Sequence, residues 1–293
     1  MNKVAILGSG KSAENFIKAI KLNSDFKLVQ IGSRNKNRAK KISTNYSNNI
    51  EINSINKVIE SKKNNLVIVC LPASIQFEVI KKLFKLNKNV ICEKPFVINY
   101  IDSTKLLKNW KKFKPICLIN YCYNFLEPLE FFSKEIQKNK INIHTVNISW
   151  KVSNNSKIVR PNWKNKRNMG GGVLYNFSSH LLNLLFPKKT KLKILSSEQY
   201  YLKNKRIKRI ETNDNKADKI CSFTLKNKFI YNFFLSTISN PTLGIKMELI
   251  GTKGTRVMSN FNSDSPTNGF IMKSYFKAGN KIKITDIKFN KKK

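Results

Sequence analysis

The sequence predicts an α/β chain in two parts. A doubly wound parallel sheet over residues 1–120 is followed by an α+β domain over 121–293 with a large, mostly antiparallel sheet. Three observations predict it. Apolar strand-like runs alternate with helical patterns up to about residue 120, at the spacing of parallel β-α-β units. The first run passes into a helix through a glycine-bearing turn, GSGKSA at 8–13. From 141 onward, strand pattern follows strand pattern, with turn signals such as LKNKF and GTKGT between them.

In order, KVAILG (3–8) is a buried apolar strand and SAENFIKAIKL (12–22) a helix with Ala13, Phe16, Ile17 and Ile20 on one stripe. FKLVQIGS (26–33) is the second strand, and RNKNRAKKIS opens a basic helix. LVIVCLP, SIQFEVIKKLFKLN and NVICEKP continue the alternation. DSTKLLKNWKKF (102–113) is a helix capped by Asp102 or Ser103, and PICLINYCY is the next strand. In the second part, INIHTVNISWKV, KLKILSSEQYYL, KICSFTL, KFIYNFFLST, GIKMELIG and KIKITDIKF read as strands. One helix interrupts them, VLYNFSSHLLNLLF at 173–186, entered through Gly170, Gly171 and Gly172.

VAILGSGKS admits two chemistries. Taken from Ala5 to Ser12 it resembles a loosened triphosphate loop with Lys11 reaching the phosphates, but that leaves only MNKV for the preceding strand. Taken from Gly8 to Ala13 it is a G-x-G-x-x-A dinucleotide turn, and the strand and helix around it both have ordinary length. The second reading is preferred. Lys11 and Ser12 then belong to the cofactor turn with Gly8, Gly10 and Ala13.

Hydrophobic residues make up 41% of the 293, enough for an ordinary core. No apolar run approaches 18 residues, and the first strand leaves no room for a signal peptide, so no membrane partner and a cytoplasmic location are expected. Cys70, Cys92, Cys117, Cys122 and Cys221 form no C-x-x-C pair and read as reduced packing residues; no metal site is expected. The net charge of +39 rests on 56 basic residues, of which only seven are Arg. Lysine is dispersed along the chain, with only short clusters such as those at 203–209 and the terminal 291–293. Arg would dominate a surface that reads bases or forks phosphates, so the charge reads as compositional drift and no specific nucleic-acid partner is expected.

At the end of the second strand, where an NAD enzyme usually carries a carboxylate for the ribose hydroxyls, this chain has IGSRN. Ser33 and Arg34 suit a 2′-phosphate, so NADP is favoured over NAD. CEKPF (92–96) places Glu93 and Lys94 at the carboxyl end of a buried strand. His180 lies four residues after Asn176, a spacing that puts both on one face of a helix.

GSGKSA, LPASIQFE, NVICEKPF and GGGVLYNFSSHLLN, in this order and spacing, resemble the glucose-fructose oxidoreductase, inositol dehydrogenase and rhizopine-catabolism family (Gfo/Idh/MocA) of NAD(P)-dependent oxidoreductases. The likeness extends to MELIGTKGTRV at 247–257. It implies a Rossmann domain followed by a β-sheet domain that often mediates dimers or tetramers. It also implies hydride transfer to or from a sugar, cyclitol or nucleotide sugar. By that resemblance Lys94 addresses the reacting oxygen, His180 is the general acid/base, Leu71 and Pro72 line the nicotinamide side, and Glu93 helps fix the cofactor. Five positions depart from the family's usual pattern: Asn176 and Asn183 stand in place of aspartates, Leu71 of a Thr, Gln76 of a His, and Asn124 of an Arg.

Overall fold

Val4, Ala5, Ile6 and Leu7 are wholly buried, as a central strand with both faces covered requires. Alternate side chains enter opposite layers: Ala5 and Leu7 join one core with Val67, Val69 and Val90, while Val4 and Ile6 join the other with Ile17, Ile31 and Ile68. The computed structural model describes residues 1–44, 49–153, 163–186, 190–203, 206–211, 215–239, 243–260, 269–278 and 281–289. It divides the chain into two units, Met1–Asn120 and Tyr121–Lys293.

In the first unit β1 (Asn2–Leu7), α1 (Lys11–Lys21), β2 (Phe26–Gly32), α2 (Lys36–Thr44), β3 (Glu51–Asn53), α3 (Ile55–Glu60), β4 (Leu66–Val69), α4 (Ala73–Lys85), β5 (Asn89–Cys92), α5 (Tyr100–Phe113) and β6 (Cys117–Ile119) alternate. The six strands are all parallel, in the order β3-β2-β1-β4-β5-β6. The order reverses at β1 and β4, where a doubly wound sheet opens its ligand crevice. Two local readings are corrected here. Helix α5 starts earlier than expected because Asn99, not Asp102 or Ser103, is its cap, accepting from the Asp102 N–H at 2.8 Å. The strand expected over PICLINYCY is only three residues long and gives way to a 3₁₀ turn at Cys122–Phe125.

The second unit contains α6 (Glu127–Lys138), β7 (Ile143–Lys151), α7 (Ser179–Leu185), β8 (Lys193–Lys203), β9 (Arg206–Arg209), β10 (Ile220–Lys226), β11 (Ile230–Ser236), β12 (Gly244–Gly251), β13 (Gly254–Ser259), β14 (Ile271–Ala278) and β15 (Lys281–Lys288). Among the described residues its nine strands run β15-β14-β13-β12-β7-β11-β10-β8-β9, and β7–β11 is the one parallel pairing. One face carries Val146, Ile148, Phe223, Phe233, Met247 and Met258 under Leu129 and Phe132 of α6 and Leu181 and Leu185 of α7. The helix expected at 173–186 is in fact two pieces: a π-helical turn at Leu174–Ser178, then α7. Cys122 is exposed rather than packed, while Cys92 and Cys221 are buried. The terminal lysine cluster and two residues of the 203–209 cluster lie outside the described residues. Among the described residues no helix is long and apolar enough to cross a membrane.

Candidate functional site

Main-chain hydrogen bonds continue the first sheet past its strands. Gly8 N–H donates to Gly32, Cys70 to Leu7, Glu93 to Val69 and Asn120 to Cys92, at 2.8 to 3.0 Å. These bonds set Gly8, Cys70, Glu93 and Asn120 in one row along the carboxyl edge. Gly8 has φ +116, and a Cβ there would collide with the Cys70 carbonyl oxygen, so only glycine fits the turn. At Gly10 a Cβ would meet nothing within 4 Å. Gly10 also begins α1 with no side-chain cap, which leaves the first-turn amides of α1 without a side-chain acceptor. An open cradle over uncapped helix amides fits a dinucleotide pyrophosphate, and Gly8, Gly10, Ser12 and Ala13 would hold it. Lys11 is turned along the helix surface to Glu14 at 3.1 Å.

The second-strand reader divides into two parts. Ser33 is 5% exposed and its hydroxyl is engaged inside the protein: it lies 3.0 Å from Ser9 Oγ and accepts the Asn35 N–H at 3.1 Å. Arg34 is exposed and, with Asn35, Lys36 and Asn37, lines an open hollow beyond β2 without a carboxylate. Ser9 escaped the sequence reading because nothing in one chain of letters pairs it with Ser33.

Beyond β5, Glu93 accepts from Asn120 Nδ2 at 3.0 Å, and the carbonyl of Pro95 accepts from the buried Gln76 Nε2 at 3.0 Å. Asn120 and Gln76 thus hold the Glu93–Lys94–Pro95 segment from both ends, with Lys94 half-buried and its bond to Pro95 cis. Leu71 and Pro72 follow β4 on the same edge, and Pro72 caps α4.

In the second unit His180 is 5% exposed, and its ring stacks on Tyr123 at 4.2 Å between centroids, with Tyr121 edge-on at 6.2 Å. Burial pushes the Tyr123 hydroxyl up, so it is a neutral phenol at working pH. Asn176 donates from Nδ2 to the Gly172 carbonyl at 2.7 Å, and Asn124 donates to Asn183 Oδ1 at 2.6 Å. The close approach expected of the glycines is present. Gly172 has φ +107, and a Cβ there would collide with Asp218, while one at Gly171 would collide with the carbonyls of Trp163 and Lys164.

Asp218, which no sequence signal marks, is 2% exposed. Burial pushes its carboxyl up to about 6, against the opposing pull of main-chain hydrogen bonds, Leu174 foremost, and of Arg167. The unfolded chain releases this proton near pH 3.9, so between there and about 6 the native state binds more protons. Stability therefore falls as pH rises through that window, by roughly 3 kcal/mol at ~1.4 kcal/mol per pH unit. Asp218→Asn removes the cost. Its melting temperature should exceed that of the unmutated chain near neutral pH and converge with it near pH 4; a lower value near neutral pH contradicts this account.

A six-stranded parallel sheet in the order 3-2-1-4-5-6, with an open glycine cradle at its first turn, defines a dinucleotide-binding domain of the Rossmann class. Residues 2–121 match the family model described as "Oxidoreductase family, NAD-binding Rossmann fold". Over these residues, less than half of the chain, the protein resembles the Gfo/Idh/MocA oxidoreductases, a family described by its NAD-binding Rossmann fold.

Among relatives, an uncharacterized oxidoreductase of Synechocystis sp. is 20% identical over 277 residues, 91% of this chain and 74% of that protein. The 2,7-anhydro-N-acetylneuraminate hydratase of Escherichia coli is 28% identical over 131 residues, which is 43% of this chain and only 34% of the hydratase. The fold is shared with a 3-ketoreductase from Actinomadura kijaniata in complex with NADP and TDP-benzene. The TM-score is 0.78 at 14% identity, covering 98% of this chain and 84% of that one.

Proposed function

We propose that this chain transfers a hydride between NADP and a hydroxyl-bearing or carbonyl carbon of a sugar, cyclitol or nucleotide sugar. The observation that carries the reading is the Glu93–Lys94–Pro95 segment, clamped by Asn120 and Gln76 on the same carboxyl edge as the open glycine cradle. The bound nicotinamide supplies the hydride donor or acceptor. Lys94 directs its ammonium at the substrate oxygen, lowering the pKa of a hydroxyl or polarising a carbonyl. His180 takes or returns the proton. Residues 121–293 form the substrate and oligomerisation domain. The sheet face turned away from α6 and α7 exposes Phe234, Ile271 and Ile284, which suits a second copy of the chain.

The choice of NADP rests on Arg34 and the acid-free hollow beyond β2. A charge-assisted contact contributes about 1.5 to 3 kcal/mol, so NADP should bind at least about tenfold more tightly than NAD, and Arg34→Asp should reverse the order. Calorimetry giving equal affinities for the unmutated protein removes the preference.

Single-turnover formation of reduced nicotinamide across aldoses, cyclitols and nucleotide sugars tests the reaction. The unmutated chain is expected to turn over slowly, because Asn176 brings no charge to steady an imidazolium, and Asn176→Asp is expected to speed oxidation near neutral pH. The Asn176 amide held on the Gly172 carbonyl favours a second reading, an NAD(P)-binding sensor or assembly partner. That reading prevails if NADP binds at about micromolar affinity while neither protein yields reduced nicotinamide from any substrate of the panel.

A further inference from the structure

Asp218 is a buried carboxylate that the proton chemistry above does not use. It lies two residues before β10, and three consecutive residues at the entry to the His180 segment are set against it. Gly172 must lack a side chain there, because a Cβ would collide with Asp218 Oδ1. Val173 N–H donates to the Asp218 carbonyl at 3.1 Å, and Leu174 N–H donates to its Oδ2 at 2.8 Å. The Gly172 carbonyl then accepts both the main-chain N–H of Asn176, at 3.2 Å, and its side-chain Nδ2, at 2.7 Å. From there the π-helical turn feeds α7 and His180.

We propose that Asp218 is a positioning residue for His180. Its carboxylate pins Gly172–Leu174 beside β10 and, through the Gly172 carbonyl, fixes Asn176 and the turn that lays the His180 ring on Tyr123. An asparagine could accept the same Leu174 hydrogen bond without burying a charge, so the positioning depends on an acceptor at this place and the charge itself adds only a cost in stability. The charge lies among donors: the first amides of the turn, Arg167 from the 3₁₀ turn at Arg167–Met169, and the adjacent Lys219, whose Nζ is tied to Asn165 Oδ1 at 2.8 Å. The remaining titratable neighbour, the Cys221 thiol, is pushed up to about 12 by burial and stays neutral.

This inference rests on reading His180 as the proton-transfer group, and its test reads the ring rather than turnover. The chain has two histidines, so His144→Ala assigns the ring signals. Tyr123, stacked at 4.2 Å, imposes an upfield ring-current shift on His180. Asp218→Ala should lose that shift while still melting cooperatively, and Asp218→Asn should keep it. A folded Asp218→Ala with the His180 shift unchanged overturns the proposal, since a merely structural carboxylate lowers stability without moving the ring. Should Asp218→Ala not fold, the unmutated chain carries the test. The Leu174 main-chain amide should titrate with the Asp218 carboxyl near pH 6 while the His180 ring-current shift stays in place, as it does in Asp218→Asn; a Leu174 amide that does not titrate overturns it. A chain that passes these tests and reduces no nicotinamide sinks the oxidoreductase reading and leaves the positioning role intact.

Discussion

His180→Ala and Lys94→Ala should each slow single-turnover formation of reduced nicotinamide by at least about a hundredfold while leaving NADP affinity nearly unchanged. The magnitude is that of a general acid/base and of a charge aimed at a developing alkoxide, each contributing about 3 kcal/mol to the barrier. Affinity is expected to survive because the pyrophosphate cradle at Gly8–Ala13 and the hollow at Arg34 contain neither residue. The split is diagnostic. A residue that only stabilises its unit lowers the fraction folded, and with it cofactor affinity and rate together. A proton carrier lowers the rate alone and reshapes its pH profile. A His180→Ala protein with an unaltered rate and profile would falsify its assignment as acid/base.

Glu135→Ala should destabilise the second unit by about 3 to 5 kcal/mol, lowering its melting temperature by roughly 10 °C. Glu135 on α6 is 6% exposed in its side chain and pairs with Arg256 of β13, itself 16% exposed, whose guanidinium also lies over Phe276 at 5.8 Å. Burial depresses the Arg256 pKa, a sign that the guanidinium has given up hydration. Removing the carboxylate strands that cation among Phe276 and the α6 packing. Replacing both charges, as Glu135→Gln with Arg256→Met, should recover most of the loss, because a well-packed apolar pair is often as stable as a buried ion pair. Thermal melts of the two single variants and the double variant decide it; additive losses would mean that the pair is not coupled.

Much of the first unit was legible because its rules are local. A short, wholly apolar run such as VAIL, ended by a glycine turn, reads as a strand covered on both faces, and the residue count before that turn favours a dinucleotide turn over a triphosphate loop. The same locality explains the misses. Asn99 displaced Asp102 and Ser103 as cap of α5 because a cap is chosen by the chain's angle of entry, and all three residue types can serve. Helix α6 carries the ordinary start signals, a proline in its first turn with Glu127 and Glu130, yet the reading passes over it between two strand-rich regions. The π-helical turn at Leu174–Ser178 has no period that letters can show, and the contacts at its entry, Gly172 against Asp218, are made with a residue far along the chain.

The sequence by itself determined that a dinucleotide turn follows the first strand, that Glu93–Lys94–Pro95 ends a buried one, and that glycines enter the His180 helix by close approach. Each depends on neighbours within a few residues. Only the tertiary structure decided that Ser33 is spent on Ser9 and Asn35 while Arg34 alone is exposed, that Gln76 and Asn120 hold the Glu93–Pro95 segment, and that Asp218, 46 residues beyond Gly172, stands against it. The physical reason is common to all three. A buried polar group must find its partner wherever the sheet brings one, and that choice is made by strand order and register, which no local pattern of residues encodes.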